Sequence, residues 1–283
     1  MLAVGGLYAW TIRRPGYRVT RRQAASFIGA MVAALVALTW PLADLAATRS
    51  LTALVVQRLL LVLAVPPLAL IGLPDLAFAR LTRPSAVDAL LQRTSRPGVA
   101  IAVVTVIAVG TLTTGAVDAQ ASSWAARGAL DLLLLFAGVV LWLPVLGRVP
   151  GIDRPSALGR GAYLIVQSIV PSFLAVVWIF ARHPLYPAYA HPSRVADLSP
   201  LLDQQIAGFT AKLGTIFVLW SVAFVITNRS ERREESQTEP LTWADVERRL
   251  QRAERRQRRG TPDGAPVGPD REDPDAGAGP GTR

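Results

Sequence analysis

The sequence contains no cysteine. That absence excludes a disulfide framework, a thiolate metal site, an iron–sulfur cluster and a cysteine nucleophile. Histidine occurs only twice and methionine only at Met1 and Met31, so a relay of thioether metal ligands within the chain is excluded as well. Lysine is nearly missing, with Lys212 alone against 29 arginines. Charged residues of both signs make up 18% of the chain, fewer than the ~25% of a water-soluble domain. Neither a Walker loop nor a GxSxG or HExxH motif is present, and the expectation is a protein that is not an enzyme.

What remains is apolar. Hydrophobic residues are 51% of the 283 and the mean hydropathy is +0.35, which reads as a membrane protein. A helix needs about 20 apolar residues to cross the roughly 30 Å hydrocarbon layer. Stretches of that kind lie near 24–46, 51–74, 98–118, 123–146, 159–181 and 203–227. A further apolar run from Met1 to Ile12 is half a span and reads as the inner half of a truncated first helix. Its positive charges follow it rather than precede it, which is not the order of a cleaved signal peptide. The expectation is an all-α, polytopic transmembrane helix bundle of about seven spans over 1–228. A juxtamembrane segment over 229–259 and a disordered Gly, Pro and Asp-rich tail over 260–283 follow it.

The net charge of +10 is unevenly placed. Residues 1–228 hold 18 Lys and Arg against 8 Asp and Glu, whereas 229–283 hold 12 against 12. The excess therefore speaks to membrane orientation and not to nucleic acid. Arg13, Arg14, Arg18, Arg21 and Arg22 follow the first span, Arg80, Arg83, Arg93 and Arg96 the third, and Arg148, Arg154 and Arg160 the fifth. The alternate connections are poor in arginine, with Arg49 alone in one, none in 118–123, and Arg182 and Arg194 in the last. This is the pattern of a multi-pass membrane protein with a cytoplasmic C-terminus. Within 241–259, Trp243, Val246, Leu250 and Ala253 recur at helical spacing among arginines, as in a basic amphipathic helix. Such a helix lies on anionic lipid headgroups, or is a solvated helix or a partner-binding tail.

Prolines and glycines mark the spans. Pro66, Pro67 and Pro171 are expected to kink their helices, and Gly110, Gly138, Gly208 and Gly214 to allow close helix contact. Four ionisable residues fall inside spans: Arg58, Arg127, Asp131 and Lys212. Counting along each helix puts Arg58, Asp131 and Lys212 at a common depth, about 10–14 Å below the outer surface. Arg127 is one turn above Asp131, and Asp44, Asp118 and Asp203 lie near the outer rim. Two readings stay open for this intramembrane polar site. Asp131 neutralises Arg58 or Lys212 and ties helices together, or the layer takes a substrate, ion or partner, a small anionic solute included. For a metal, His183 and His191 in the last outer loop are weak candidates, with Asp197 or Asp203 as possible helpers.

Several segments, taken in order, resemble a known family. They are Gln57-Arg58-Leu59-Leu60-Leu61, Val65-Pro66-Pro67-Leu68 with Gly72-Leu73-Pro74, and Trp142-Leu143-Pro144-Val145-Leu146-Gly147. Leu185-Tyr186-Pro187-Ala188-Tyr189 and Asp203-Gln204-Gln205-Ile206-Ala207-Gly208 complete the series. From about Leu7 to Val246 the chain is similar to the CtaG-like cytochrome c oxidase assembly factors. The resemblance implies a polytopic bacterial membrane protein that acts in maturation of haem–copper oxidases. It also implies copper as the associated metal, and oxidase subunits or other assembly factors, together with membrane lipids, as partners.

The departures from the family pattern bear on that metal. Where the family usually has H-M-x-Q-H, this chain has Leu54-Val55-Val56-Gln57-Arg58, and a second H-x-x-x-H appears as Arg127 and Asp131. A Met-Trp pair is replaced by Ala211 and Lys212. The expectation is a scaffold or accessory factor in oxidase assembly whose copper ligation is lost. The alternative is a transporter or binder of a small anionic solute at the charged layer.

Overall fold

The computed structural model describes residues 19–149, 155–190 and 198–237, and, in the tail, 247, 248, 250–253 and 255. Among these the chain is all-helical and without strands. Helix α1 (Arg21–Leu38) opens with a reciprocal capping box: the Thr20 hydroxyl accepts from the Gln23 amide at 3.2 Å, and the Gln23 side chain accepts from the Thr20 amide at 3.0 Å. It stops at Thr39, and α2 (Leu42–Thr48) starts after Pro41. The expected single span over 24–46 is thus two pieces, because a residue that precedes proline is pushed out of the helical region.

Helix α3 (Leu51–Gly72) is capped by Ser50, whose hydroxyl accepts from the Ala53 amide at 3.2 Å. Pro66 and Pro67 have no N–H for the carbonyls of Val62 and Leu63. The chain keeps its helical course by widening into a π turn over Leu60–Ala64, just ahead of the prolines. The freed Val62 carbonyl accepts instead from the Trp142 indole N–H of α8 (Trp124–Leu146), at 3.1 Å. Opposite this point is Gly138, where a Cβ would stand 2.4 Å from Pro66 Cγ and 2.8 Å from the Val62 oxygen. Only glycine lets the two helices approach this closely.

Three short helices, α4 (Asp75–Leu81), α5 (Ser85–Thr94) and α6 (Pro97–Gly110), follow, with α6 leaving α5 at 95°. The expected span over 98–118 ends early. Its helical part, α6, has 14 residues and is about 21 Å long at 1.5 Å per residue, short of the bilayer core. The run Gly110-Thr111-Leu112-Thr113 ends it, as Thr111 and Thr113 hydroxyls donate back to the carbonyls of Ala108 (3.1 Å) and Gly110 (2.8 Å). A Cβ at Gly110 would meet open space, so this glycine serves no close helix contact. Helix α7 (Thr114–Ser122) then leads into α8, which closes on Gly147 in the left-handed conformation (φ 58°).

Helices α9 (Ala157–Phe180) and α10 (Pro200–Gln237) complete the bundle. Pro171 sits within α9 without ending it. The two run antiparallel: Gly208 of α10 meets Ala175 and Trp178, and Gly161 of α9 meets Ala223 and Thr227. Trp220 donates to the Ser168 hydroxyl between them at 3.1 Å. Among the described residues five helices, α1, α3, α8, α9 and α10, are long and apolar enough to cross a membrane, or six if α5 and α6 make one bent span. Phe173, Phe180, Phe217 and Phe224 point outward, as suits a bundle solvated by lipid rather than water. Leu63, Val104, Leu141, Trp142, Leu164 and Leu219 form its core. The expected half-span over Met1 to Ile12 and the tail over 260–283 lie outside the described residues. A separate unit covers Arg233–Arg283, and its described residues from 247 to 255 are helical and exposed.

Candidate functional site

Helix α3 is held by opposite charges at its two ends. At the N-terminal end stands Asp203, from the first turn of α10 and only 3% exposed. Its Oδ1 accepts from the Ser50 hydroxyl (2.9 Å) and the Thr52 amide (3.4 Å), and its Oδ2 from the Leu51 amide (2.6 Å). The Thr52 hydroxyl donates in turn to the Asp203 carbonyl at 2.9 Å. A carboxylate here satisfies N–H groups that a helix start leaves open and meets the positive end of the helix dipole. At the C-terminal end Arg148 donates to the carbonyls of Leu70 and Leu73 (2.8 Å to the latter), pairs with Asp75, and lies 5.2 Å from the Phe78 ring centroid.

The same end of the bundle as Asp203 is laced by family-pattern residues. Gln204 accepts from the Leu185 amide at 2.7 Å, and Gln57 donates to the Ala37 carbonyl at 3.0 Å. Tyr186 donates to the Leu112 carbonyl at 2.8 Å, and Tyr189 to that of Ala46. Burial pushes both phenols above their usual range, so they remain donors at any ordinary pH. Trp178 braces Tyr186 edge-on at 5.9 Å between centroids.

Arg58 lies inside the bundle. Its guanidinium donates to the Thr111 hydroxyl (3.4 Å), the Thr111 carbonyl (2.9 Å) and the Gln120 side-chain oxygen (3.3 Å). Arg127 reaches the backbone oxygen of the same Gln120 at 3.4 Å, so two arginines converge on α7. Asp131 and Lys212 are partly buried, but no ion pair within 4 Å joins Asp131 to Arg58 or to Lys212. The direct contacts of Arg58 are thus neutral oxygens, while Asp131 acts on it through charge at longer range. Because α6 stops at Gly110, the turn after it and α7 come against α3, and neutral acceptors take the place assigned to the carboxylate. The expected rim also divides. Asp44 pairs with Arg49 at 3.5 Å on the surface, Asp118 is exposed, and only Asp203 is a buried anchor.

Sequence reasoning missed Thr111, Gln120 and Gln167 as members of this interior and Arg148 as a helix cap. The available signal was an uncharged amide in an otherwise apolar stretch, as at Gln167. For metal binding, His183 is exposed, while His191 and Asp197 lie outside the described residues. The described residues hold no group of three or more histidines, cysteines or carboxylates able to share a metal. At the positions where the resemblance places soft ligands stand Leu54, Val55, Arg58, Arg127, Asp131 and Ala211, with Lys212 adjoining the last. Hydrocarbon, protonated guanidinium and ammonium offer no lone pair, and the single hard carboxylate of Asp131 is a poor ligand for copper(I), so this donor set does not fit a copper ion.

The family model for the cytochrome c oxidase caa3 assembly factors (CtaG) matches residues 6–232, most of the chain. No curated protein and no solved structure matches it.

Proposed function

The chain belongs to the cytochrome c oxidase caa3 assembly factors, and on that premise we propose that it acts in haem–copper oxidase maturation as a scaffold or accessory factor, without catalysis and without carrying copper. The observation that carries this reading is the replacement of soft-ligand positions by Leu54, Arg58, Arg127 and Ala211, with Lys212 adjoining the last, within a bundle otherwise matched to the family almost end to end. Its partners are oxidase subunits or other assembly factors. It resides in the plasma membrane with the C-terminus cytoplasmic, as the arginine distribution supports. A reporter fused after Arg283 tests that orientation, and an external reporter refutes it.

A deletion strain assayed for oxidase activity, with and without added copper, tests the function. A scaffold predicts lost or lowered oxidase activity that copper does not restore. Full rescue by copper would make the protein a copper carrier, and undiminished activity would remove it from assembly.

A further inference from the structure

Between α3, α6, α8, α9 and α10 lies a cavity of about 110 Å³. Most of its wall is valine and leucine, but Arg58, Thr111, Gln167 and Thr215 also line it. Arg58 is 7% exposed and Gln167 is 3% exposed. The Nε–H of Arg58 and the Oε1 of Gln167 find no protein partner. All three hydrogen bonds of the Arg58 guanidinium go to neutral oxygens, and no carboxylate of the described residues pairs with it within 4 Å.

We propose that this cavity binds a small monovalent anion, halide, nitrate or short carboxylate, as the counter-charge of Arg58. A guanidinium keeps its charge at ordinary pH; Asp131 feels that charge only from beyond ion-pair distance, so a buried guanidinium without a contact counter-ion favours an anion that can reach it. A water needs roughly 10–15 Å³ of such space, so the cavity admits an anion of a few heavy atoms. Its apolar walls and single fixed cation disfavour sulfate or phosphate, which carry more charge and demand many donors. Turning the Gln167 amide about its last torsion exchanges oxygen for NH2 and supplies a second donor. The site stands independently of any role in oxidase assembly.

The test is thermal unfolding of the purified full chain in detergent at constant ionic strength, with gluconate replaced stepwise by chloride, nitrate, formate or sulfate. At least one small monovalent anion is expected to raise the midpoint saturably, as a ligand of the folded state does, while sulfate does not. Gln167→Glu places a carboxylate in the same cavity and is expected to abolish that dependence. Arg58→Gln, which removes the charge, is expected to weaken the half-saturating concentration at least tenfold. If the wild-type midpoint shows no saturable, anion-specific rise, the proposal is overturned. It is equally overturned if the rise persists undiminished in whichever of the two variants folds.

Discussion

Replacing Asp203 by alanine should do more damage than any other single change at the bundle's loop-laced end. The substitution leaves the Leu51 and Thr52 amides and the Ser50 hydroxyl without their acceptor, at a site that water scarcely reaches. An orphaned buried donor costs about 1–3 kcal/mol. The Thr52 bond is long at 3.4 Å, and the Ser50 hydroxyl is free to rotate, so the Leu51 amide dominates the loss. Loss of the carboxylate from the helix dipole adds up to ~2 kcal/mol. The expected total is about 1–5 kcal/mol, a shift of roughly fivefold or more in the folded-to-unfolded ratio. Asp203→Asn keeps the shape and one acceptor but sets an NH2 against an N–H, so it should fall between alanine and wild type. Thermal unfolding in detergent, followed by size-exclusion recovery, reads the effect. If the alanine variant has the wild-type midpoint, the cap does not stabilise α3. If asparagine equals aspartate, the charge contributes nothing.

Trp142→Phe should cost about 1–3 kcal/mol, because the Val62 carbonyl freed by Pro66 loses its indole donor; an unchanged unfolding midpoint would show that the carbonyl is satisfied elsewhere. Gly138→Ala should destabilise by about 1–3 kcal/mol through overpacking on Pro66, while Gly110→Ala, whose new methyl meets open space, should be neutral or slightly stabilising in the same assay. Copper titration of the purified protein should find weak binding or none, and changing both His183 and His191 to alanine should abolish any stoichiometric binding; tight copper(I) binding that survives the double change would restore the carrier reading.

The helical class and most of the spans were legible because a membrane imposes length and hydropathy on each crossing element. The break at Thr39 was not, since averaging over a whole span hides the local dip at Thr39-Trp40-Pro41. The early end of α6 was missed because the threonines that stop it are apolar enough to pass as span, and their hydroxyl bonds to the preceding turn leave no mark on hydropathy. Depth counting finds the layer that Arg58 shares with Asp131 but leaves its hydrogen-bond acceptor open: it orders residues along each helix and is blind to which face meets which neighbour. Gln120, on a helix that was not expected as a separate element, takes that role. Asp203 was placed near the rim by sequence position alone. Its value as a cap arises from the meeting of two chain segments 152 residues apart, which no local pattern encodes.

The two charged caps of α3 also set an order in time. The chain emerges from its N-terminus, so Leu70 and Leu73 gain their guanidinium donor once Arg148 has been synthesised and α8 has joined the bundle. The amides of Leu51 and Thr52 wait for Asp203, on the last helix of the bundle. Until then the first turn of α3 lacks the acceptor that its Leu51 and Thr52 amides meet in the finished bundle. A nascent chain that stalls before α10 lacks the closing carboxylate and is distinguishable from a finished one at that turn.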